Sequence, residues 1–211
     1  MRDSSVKLCL ISLCAALAAF ALTGCGSISP YEENMEAEDK LYQYEGNTVR
    51  YTVPDVMVEV SYLSPENLDV YFSLLKDGKY KNPFPPGPYI VMYMTIENRG
   101  EKKLLTYDPR RTELYPPKGD PTFALDYTSL YTDFELVKMD DVEERMEVYR
   151  ETALDNTLAI EPGGKASGLV VFSRPKEMKG GPVLVVLDRV YLDHESARVP
   201  MLFKRGMPLG R

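Results

Sequence analysis

The residues from Tyr89 to Glu97 constrain the fold of this 211-residue chain more than any other stretch. Most of them are β-branched, aromatic or otherwise apolar, and the apolar residues fall at both odd and even positions. A strand with one face in water alternates apolar and polar residues, whereas a strand covered on both faces does not. The run therefore predicts a central strand of a β-sandwich.

Other segments carry a similar β signal. Val56 to Tyr62 alternates with a period of two residues, and turns rich in Gly, Pro and Asn separate it from later apolar runs. Further strands are predicted at Lys103 to Tyr107, Thr112 to Tyr115, Thr122 to Leu125, Thr157 to Ile160, Ala166 to Phe172, Val183 to Leu192 and Val199 to Phe203. The sequence therefore predicts a mainly β fold, an antiparallel β-sandwich.

Two helices are expected to interrupt the strands. A short one starts at Ser64-Pro65-Glu66, which combines a cap, a first-turn proline and an acid, and it ends at Asp77-Gly78. Its aromatic face is expected to cover the end of the core, with a ligand site as the alternative. Thr132 to about Ala153 has apolar residues at three- and four-residue steps and begins like a capping box, so one inserted amphipathic helix is predicted.

The segment from Asn82 to Pro88 contains four prolines. Proline lacks the amide donor that a strand ladder needs, so this segment is predicted to be a stiff connector. The alternative is that it serves as a docking segment for a partner.

Two motifs resemble those of a known group. Ile160-Glu161-Pro162-Gly163, followed by Gly168 to Phe172, resembles a recurring feature of immunoglobulin-like and telokin-like envelope lipoprotein domains of unknown function. Tyr93 to Asn98, a strand that runs into Asn and a tight turn, is similar to its companion feature. The resemblance covers most of Met57 to Phe203 and implies an immunoglobulin-like sandwich without a catalytic residue. The predicted helix from Thr132 to Ala153 departs from the simpler members.

The N-terminus has the form of a secretory signal: a basic start, an apolar run from Leu8 to Leu22 and small residues before a cysteine. Leu22-Thr23-Gly24-Cys25 resembles the lipobox of bacterial lipoproteins, which implies cleavage between Gly24 and Cys25 and acylation of the Cys25 thiol. The apolar run is shorter than the roughly 20 residues that a membrane-spanning helix needs. An ordinary secretory signal and an uncleaved span are the alternatives.

These features divide the chain into a signal peptide (1–24), an acidic flexible tether (25–41), a β-sandwich domain (42–205) and a C-terminal tail (206–211). An acidic recruitment segment is the alternative for the tether. Gly26 follows the cysteine where the enterobacterial family has Asp in inner-membrane proteins, so the resemblance implies the outer membrane, on its periplasmic or surface side. The net charge of −7 argues against nucleic acid as a partner.

No arrangement of residues in the sequence indicates catalysis. Cys9 and Cys14 would leave with the signal and Cys25 would carry lipid, so no disulfide, CxxC redox site, thiolate metal site or cysteine nucleophile is expected. No cofactor is expected either. The one histidine, His194, is expected in an exposed turn, with acid–base chemistry as the alternative. Five acids between Asp140 and Glu147 are expected on a solvated face, partly balanced by an Asp141–Arg145 pair, with a cation site as the alternative.

The leading hypothesis is a non-enzymatic, lipid-anchored envelope protein that binds or scaffolds a membrane-associated protein complex. The alternative is a lipoprotein that binds a small ligand or glycan through a Tyr-rich face, since the chain has 15 Tyr and 7 Phe but no Trp. An enzyme with carboxylates clustered in a pocket is the third hypothesis.

Overall fold

The structure is a computed structural model, and it describes residues 41–154, 156–176, 178 and 181–204. These residues form a mainly β fold with three α-helices. The strands are β1 (Tyr42–Glu45), β2 (Thr48–Thr52), β3 (Val56–Leu63), β4 (Tyr89–Asn98), β5 (Leu105–Tyr107), β6 (Thr112–Tyr115), β7 (Thr122–Phe123), β8 (Leu158–Ile160), β9 (Lys165–Ser173), β10 (Val183–Leu192) and β11 (Glu195–Phe203). The helices are α1 (Pro65–Leu74), α2 (Tyr127–Leu136) and α3 (Val142–Thr152).

The strands make two antiparallel sheets, which confirms the mainly β prediction. The first sheet has the order β1-β2-β3-β4-β9, so β4 is flanked by β3 and β9 as expected for a central strand. In the second sheet β10 pairs with β11 on one edge, and with β6 and then β5 on the other; β7 extends from β6 and β8 from β5.

The two sheets face each other across an inter-sheet core of mostly aliphatic side chains. Alternate residues of β3 and β4 contribute from the first sheet, and alternate residues of β10 and β11 from the second. Examples that are fully buried are Val58, Met92, Met94, Val185 and Met201. Burial on this scale is the main stabilising term of such a fold.

The helices cover the opposite face of the first sheet and create a second, helix-side core. This core combines Leu68 and Phe72 of α1, Leu130 and Phe134 of α2, Met146 and Tyr149 of α3, and Val91, Leu169 and Val171 of the sheet. β4 is thus apolar on both parities because Met92 and Met94 face the inter-sheet core while Val91 and Tyr93 face the helices. The result is a sandwich-like fold with a third, helical layer.

The predicted single helix from Thr132 to Ala153 is wrong, because the structure has two helices there. α2 starts at Tyr127, where the Asp126 side chain accepts a hydrogen bond from the Ser129 amide at 2.8 Å. Thr132 is therefore inside the helix, and its hydroxyl donates to the Thr128 carbonyl instead of capping. Between α2 and α3, Lys138 and Asp141 have positive φ values of 54° and 57°, which ends one helix and begins the next.

No strand was predicted before Val56, yet β1 and β2 form a hairpin there. Glu45 pairs with Thr48 across the two-residue loop Gly46-Asn47, and Gly46 has φ 57°. A Gly-Asn loop between residues of high β propensity is a hairpin signal, but the strands are short and half-exposed, so their hydrophobic alternation is weak.

The free edge of β9 is covered by the two ends of the helical insertion. The Leu125 amide, just before α2, donates to the Val171 carbonyl at 2.8 Å. The Leu154 amide, just after α3, donates to the Leu169 carbonyl at 2.8 Å. The insertion is therefore attached by main-chain hydrogen bonds at both of its ends to the edge strand.

Candidate functional site

A cleft of about 390 Å³ lies at the end of the first sheet where β3 ends and β4 begins. Leu63, Tyr89 and Val91 lie at the strand ends, the first turns of α1 form one side, and the proline segment 82–88 forms another. The other lining residues are Tyr62, Pro65, Leu68, Asp69, Asn82, Phe84, Pro85, Pro86, Gly87, Met139 and Arg145. The volume is in the range of ligand-binding pockets, and the lining combines apolar, aromatic and polar groups.

The proline segment is a wall of this cleft that is fixed by Phe84. The Phe84 ring is only 4% exposed, and its centroid lies 6.3 Å from those of Phe72 and Tyr149 and 6.1 Å from that of Tyr89. The Phe84 amide donates to the Asn82 side-chain oxygen at 3.0 Å. Since proline also restricts φ, the wall is held in one shape before any ligand arrives. The prediction of a stiff connector agrees with this geometry.

Arg145 of α3 ties the proline segment to the helices. Its Nη1 donates to the Pro83 carbonyl at 2.8 Å, and its Nε donates to the Asp140 carbonyl at 2.9 Å. The predicted ion pair between Asp141 and Arg145 is not formed among the described residues, because the guanidinium is directed at these two carbonyls. Arg145 lines the cleft, and its Nη2 has no hydrogen-bond partner in the described part of the chain.

Asp69 of α1 lines the cleft, and Glu66 lies on the same helix beside it. Asp69 accepts a hydrogen bond from the Asn82 side-chain amide at 2.8 Å, which joins the helix to the proline segment. Glu66 lies one turn earlier, where hydrogen bonds from its own backbone amide and then from the Ser64 hydroxyl lower the pKa of its carboxyl. The rim on this side is therefore negatively charged at neutral pH.

The two tyrosines of the cleft are neutral under physiological conditions. Burial, together with the nearby Asp133 carboxylate, raises the pKa of Tyr89 to about 12. Burial also raises the pKa of Tyr62, against the opposing effect of Arg174. A phenol with a raised pKa is protonated near pH 7 and does not act as a general base, so these rings offer contact surface and hydroxyl groups.

The residues considered for chemistry in the sequence do not come together. His194 lies exposed in the turn between β10 and β11, as predicted. In the acidic run, Glu143 accepts from the Tyr131 hydroxyl and Glu147 pairs with Arg150. Among the described residues, no three His, Cys, Asp or Glu side chains are grouped closely enough to hold a metal ion.

The tyrosines do not form one face. Several lie in or beside the helix-side core, where the rings of Tyr71 and Tyr93 are 5.8 Å apart and those of Tyr127 and Tyr131 stack at 6.3 Å. Others lie on the β1–β2 hairpin, where Tyr42 and Tyr51 are 5.2 Å apart. Most of these rings are structural, and Tyr62 and Tyr89 are the only described tyrosines that line the cleft.

Asn98 physically joins the two motifs on which the sequence resemblance rests. Its fully buried side-chain amide donates to the carbonyls of Lys103 and Ile160, each at 2.8 Å, and its oxygen accepts from the Gly100 amide at 3.1 Å. Its main chain exchanges hydrogen bonds with Gly163 and Gly164. The strand ending in Asn and the Ile-Glu-Pro-Gly turn are thus one structural unit, which satisfies buried polar groups rather than forming a site.

Gly24 and Cys25, the predicted cleavage and lipidation positions, lie outside the described residues. Within the described part, no helix is both long enough and apolar enough to cross a membrane.

The comparisons with known proteins give little beyond these observations. No protein family and no curated protein matches the sequence. Among solved structures, the yjhA protein from Bacillus subtilis is similar with a TM-score of 0.39 and 10% sequence identity, over 72% of this chain and 93% of that one. The residues of the cleft are therefore interpreted from their own geometry.

Sequence reasoning did not find this cleft. Its elements come from α1, the proline segment, β3, β4 and α3, and contacts of Arg145 and Phe84 join the proline segment to the helices. One signal was present, since Arg145 is the only cation within the acidic run from Asp140 to Glu147.

Proposed function

We propose that this chain is a cell-envelope lipoprotein, anchored through acylated Cys25, whose immunoglobulin-like sandwich acts without catalysis as a binding module for an envelope protein. The lipobox-like sequence from Leu22 to Cys25 supports the anchor, and Gly26, which follows it, supports a location at the outer membrane. The cleft beside the proline segment carries the binding proposal, because it is about 390 Å³ in volume and is lined by rings, prolines and polar groups.

The anchor is tested by growing cells with a clickable fatty acid and comparing three proteins. Wild type and Cys14→Ser should carry the label, whereas Cys25→Ser should lose it and keep its signal peptide. Cys14→Ser is the matched control because it lies in the apolar run of the signal. Label that persists in Cys25→Ser, or wild type without label, would contradict the anchor.

The binding role is tested by affinity capture from detergent-solubilised membranes. Asp69→Lys reverses a charge at the rim of the cleft, and Asp120→Lys makes the same change on an exposed turn after β6. A protein captured by wild type and by Asp120→Lys but lost with Asp69→Lys is the expected result. Capture that both variants retain equally, or that wild type never gives, would count against the cleft as the binding surface.

A small-ligand or glycan-binding lipoprotein is the second candidate. The volume of the cleft and its Tyr62 and Tyr89 rings favour it, since ligand pockets of this size combine aromatic walls with few polar groups. Saturable binding of an oligosaccharide would favour this candidate, provided that Asp69→Lys abolishes the binding and that no protein is captured from membranes.

A further inference from the structure

Two polar residues that line the cleft, Arg145 and Asn82, have hydrogen-bond donors to spare among the described residues. Arg145 donates hydrogen bonds from Nε and Nη1 to main-chain carbonyls, and its Nη2 has no partner among the described residues. Asn82 uses one side-chain N–H on Asp69, and an amide carries two. Its oxygen already accepts from the Phe84 amide. A ligand that suits these two residues therefore brings acceptors, such as carbonyl oxygens.

The apolar walls of the cleft are built from rings and prolines, which are stiff side chains. Tyr89 and Phe84 pack against each other with ring centroids 6.1 Å apart, and Pro85 and Pro86 continue the wall. Rings and prolines fixed in this way provide contact surface at little cost in side-chain entropy. Such a surface suits a ligand that is itself extended and stiff.

An extended proline-containing peptide has both properties. Each proline removes a backbone N–H and keeps a carbonyl, so the segment presents acceptors without competing donors. It is already extended before binding, with no internal hydrogen bonds, and it fits grooves lined by aromatic rings.

The charge of the rim adds a further requirement. Glu66 and Asp69 are exposed on the same side of α1, and the lowered pKa of Glu66 keeps its carboxylate charged. The whole chain carries a net charge of −7. A Lys or Arg next to the prolines would face these carboxylates, whereas an anionic ligand would be repelled by them.

We propose that the cleft binds an extended, proline-containing segment of the partner protein, with a basic residue beside the prolines. This inference rests on the proposed binding function and names the partner by its chemistry. The proline segment of this chain is then one wall of the receptor rather than the docking peptide.

The test measures the fluorescence anisotropy of two labelled peptides added to the full-length protein in detergent. One peptide is Arg-Pro-Pro-Leu-Pro-Pro, and the other has Ala in place of every Pro and the same charge. The first should bind at least about fivefold more tightly than the second, because the second is flexible and brings additional N–H groups. Equal affinities, or no binding of the proline peptide, would overturn the proposal.

Three variants locate the binding. Asp69→Lys should lower the affinity for the proline peptide by about fivefold to tenfold, as expected for loss of a charged contact. Arg145→Met should lower it by a similar factor. Asp120→Lys should leave the affinity unchanged. Asp69 is exposed, so an unaltered urea midpoint for Asp69→Lys separates lost binding from lost folding. Binding that Asp69→Lys leaves intact would place the peptide elsewhere and reject the cleft.

Two further outcomes separate this inference from the proposed function. A partner captured from membranes through the cleft, with no binding of the proline peptide, would reject the peptide class and leave the binding module standing. Binding of chitotetraose that Asp69→Lys abolishes, with no peptide binding and no captured protein, would reject both in favour of a glycan ligand.

Discussion

The inter-sheet core and the helix-side core lie on the two faces of the same sheet, but they are built differently. The inter-sheet core is mainly Val, Ile, Leu and Met, with Phe172 among its few fully buried rings. The helix-side core is rich in rings, with Phe72, Phe84, Phe134 and Tyr149 buried in it and several half-buried tyrosines around it. Aliphatic side chains on two pleated surfaces interdigitate to close packing, so the first core leaves little space.

In the helix-side core, aromatic rings bridge helices, strands and the proline segment. Their planes are inclined to each other, and neighbouring ring centroids lie about 5 to 6.5 Å apart. Where this second core reaches the end of the sheet, the rings do not close it, and the cleft opens there. The comparison teaches that both cores stabilise the fold, while the added helical layer also supplies one side of a recessed surface.

The largest expected effect comes from truncating one ring in each core. Phe172→Ala and Phe134→Ala each remove a fully buried ring and should each lower the free energy of unfolding by about 3–5 kcal/mol. Hydrogen exchange should distinguish them: Phe172→Ala lowers the protection of both sheets, whereas Phe134→Ala mainly lowers that of α2 and α3. Phe123→Ala, at a ring 58% exposed, is the control and should change stability by less than about 0.5 kcal/mol. Equal loss of protection everywhere in both ring variants would mean that the two cores unfold as one.

Asn98→Ala should have the next largest effect, at the end of the inter-sheet core. It leaves the Lys103 and Ile160 carbonyls and the Gly100 amide without their partner, and this should cost about 2–4 kcal/mol in urea unfolding. Asn67→Ala changes an exposed asparagine of α1 and serves as the matched control. A loss below about 1 kcal/mol would show that water replaces the side chain, and that Asn98 is not needed to hold the two motifs together.

Gly168→Ala tests how closely the helical layer approaches the sheet. An added Cβ would lie 2.8 Å from the Thr152 carbonyl oxygen and 2.9 Å from the Leu154 side chain, so the end of α3 must move. The expected cost is about 1–3 kcal/mol, with faster hydrogen exchange at the Leu154 amide. Ser167→Ala, one residue earlier and exposed, is the control. Unchanged exchange at Leu154 would contradict the close contact.

Parts of the fold were predictable from local sequence patterns, and other parts were not. Val183–Leu192 and Thr112–Tyr115 were predicted with their observed bounds, because continuous apolar or alternating runs between turn residues reflect burial directly. The Ser64 cap of α1 was predicted for the same local reason. The break between α2 and α3 was missed, since positive φ at Lys138 and Asp141 leaves no mark in an amphipathic pattern. The cleft was missed because its contacts join residues as distant as Pro83 and Arg145.

The smallest expected effect is on stability at alkaline pH. The two cores differ here in how far burial raises the pKa of a tyrosine. Burial raises the pKa of Tyr107 in the inter-sheet core above the alkaline range in which proteins stay folded, and that of Tyr89 beside the helix-side core to about 12. Both phenols are thus more easily ionised in the unfolded chain, whose tyrosines titrate near pH 10. The stability they contribute is complete below about pH 10 and is lost as pH rises towards 12.

Absorbance of the phenolate ion, followed together with the urea midpoint from pH 8 to 12, measures this loss. Tyr89→Phe should reduce the pH dependence slightly and remove one late-ionising ring from the titration of the native protein. The same titration in concentrated urea is the control, because every ring is then exposed. A native protein whose tyrosines all ionise together near pH 10 would contradict the burial of both rings.

The hydrogen bonds of Leu125 and Leu154 to β9 have a consequence for self-association. An exposed strand edge offers main-chain groups to any neighbouring chain, and this is a common start of aggregation. Under the lipid anchoring proposed above, copies of the protein would meet at high local density on a membrane. By occupying that edge with its own backbone, the helical insertion prevents neighbouring molecules from extending the sheet there, so it protects the protein from polymerising as well as forming the side of a cleft.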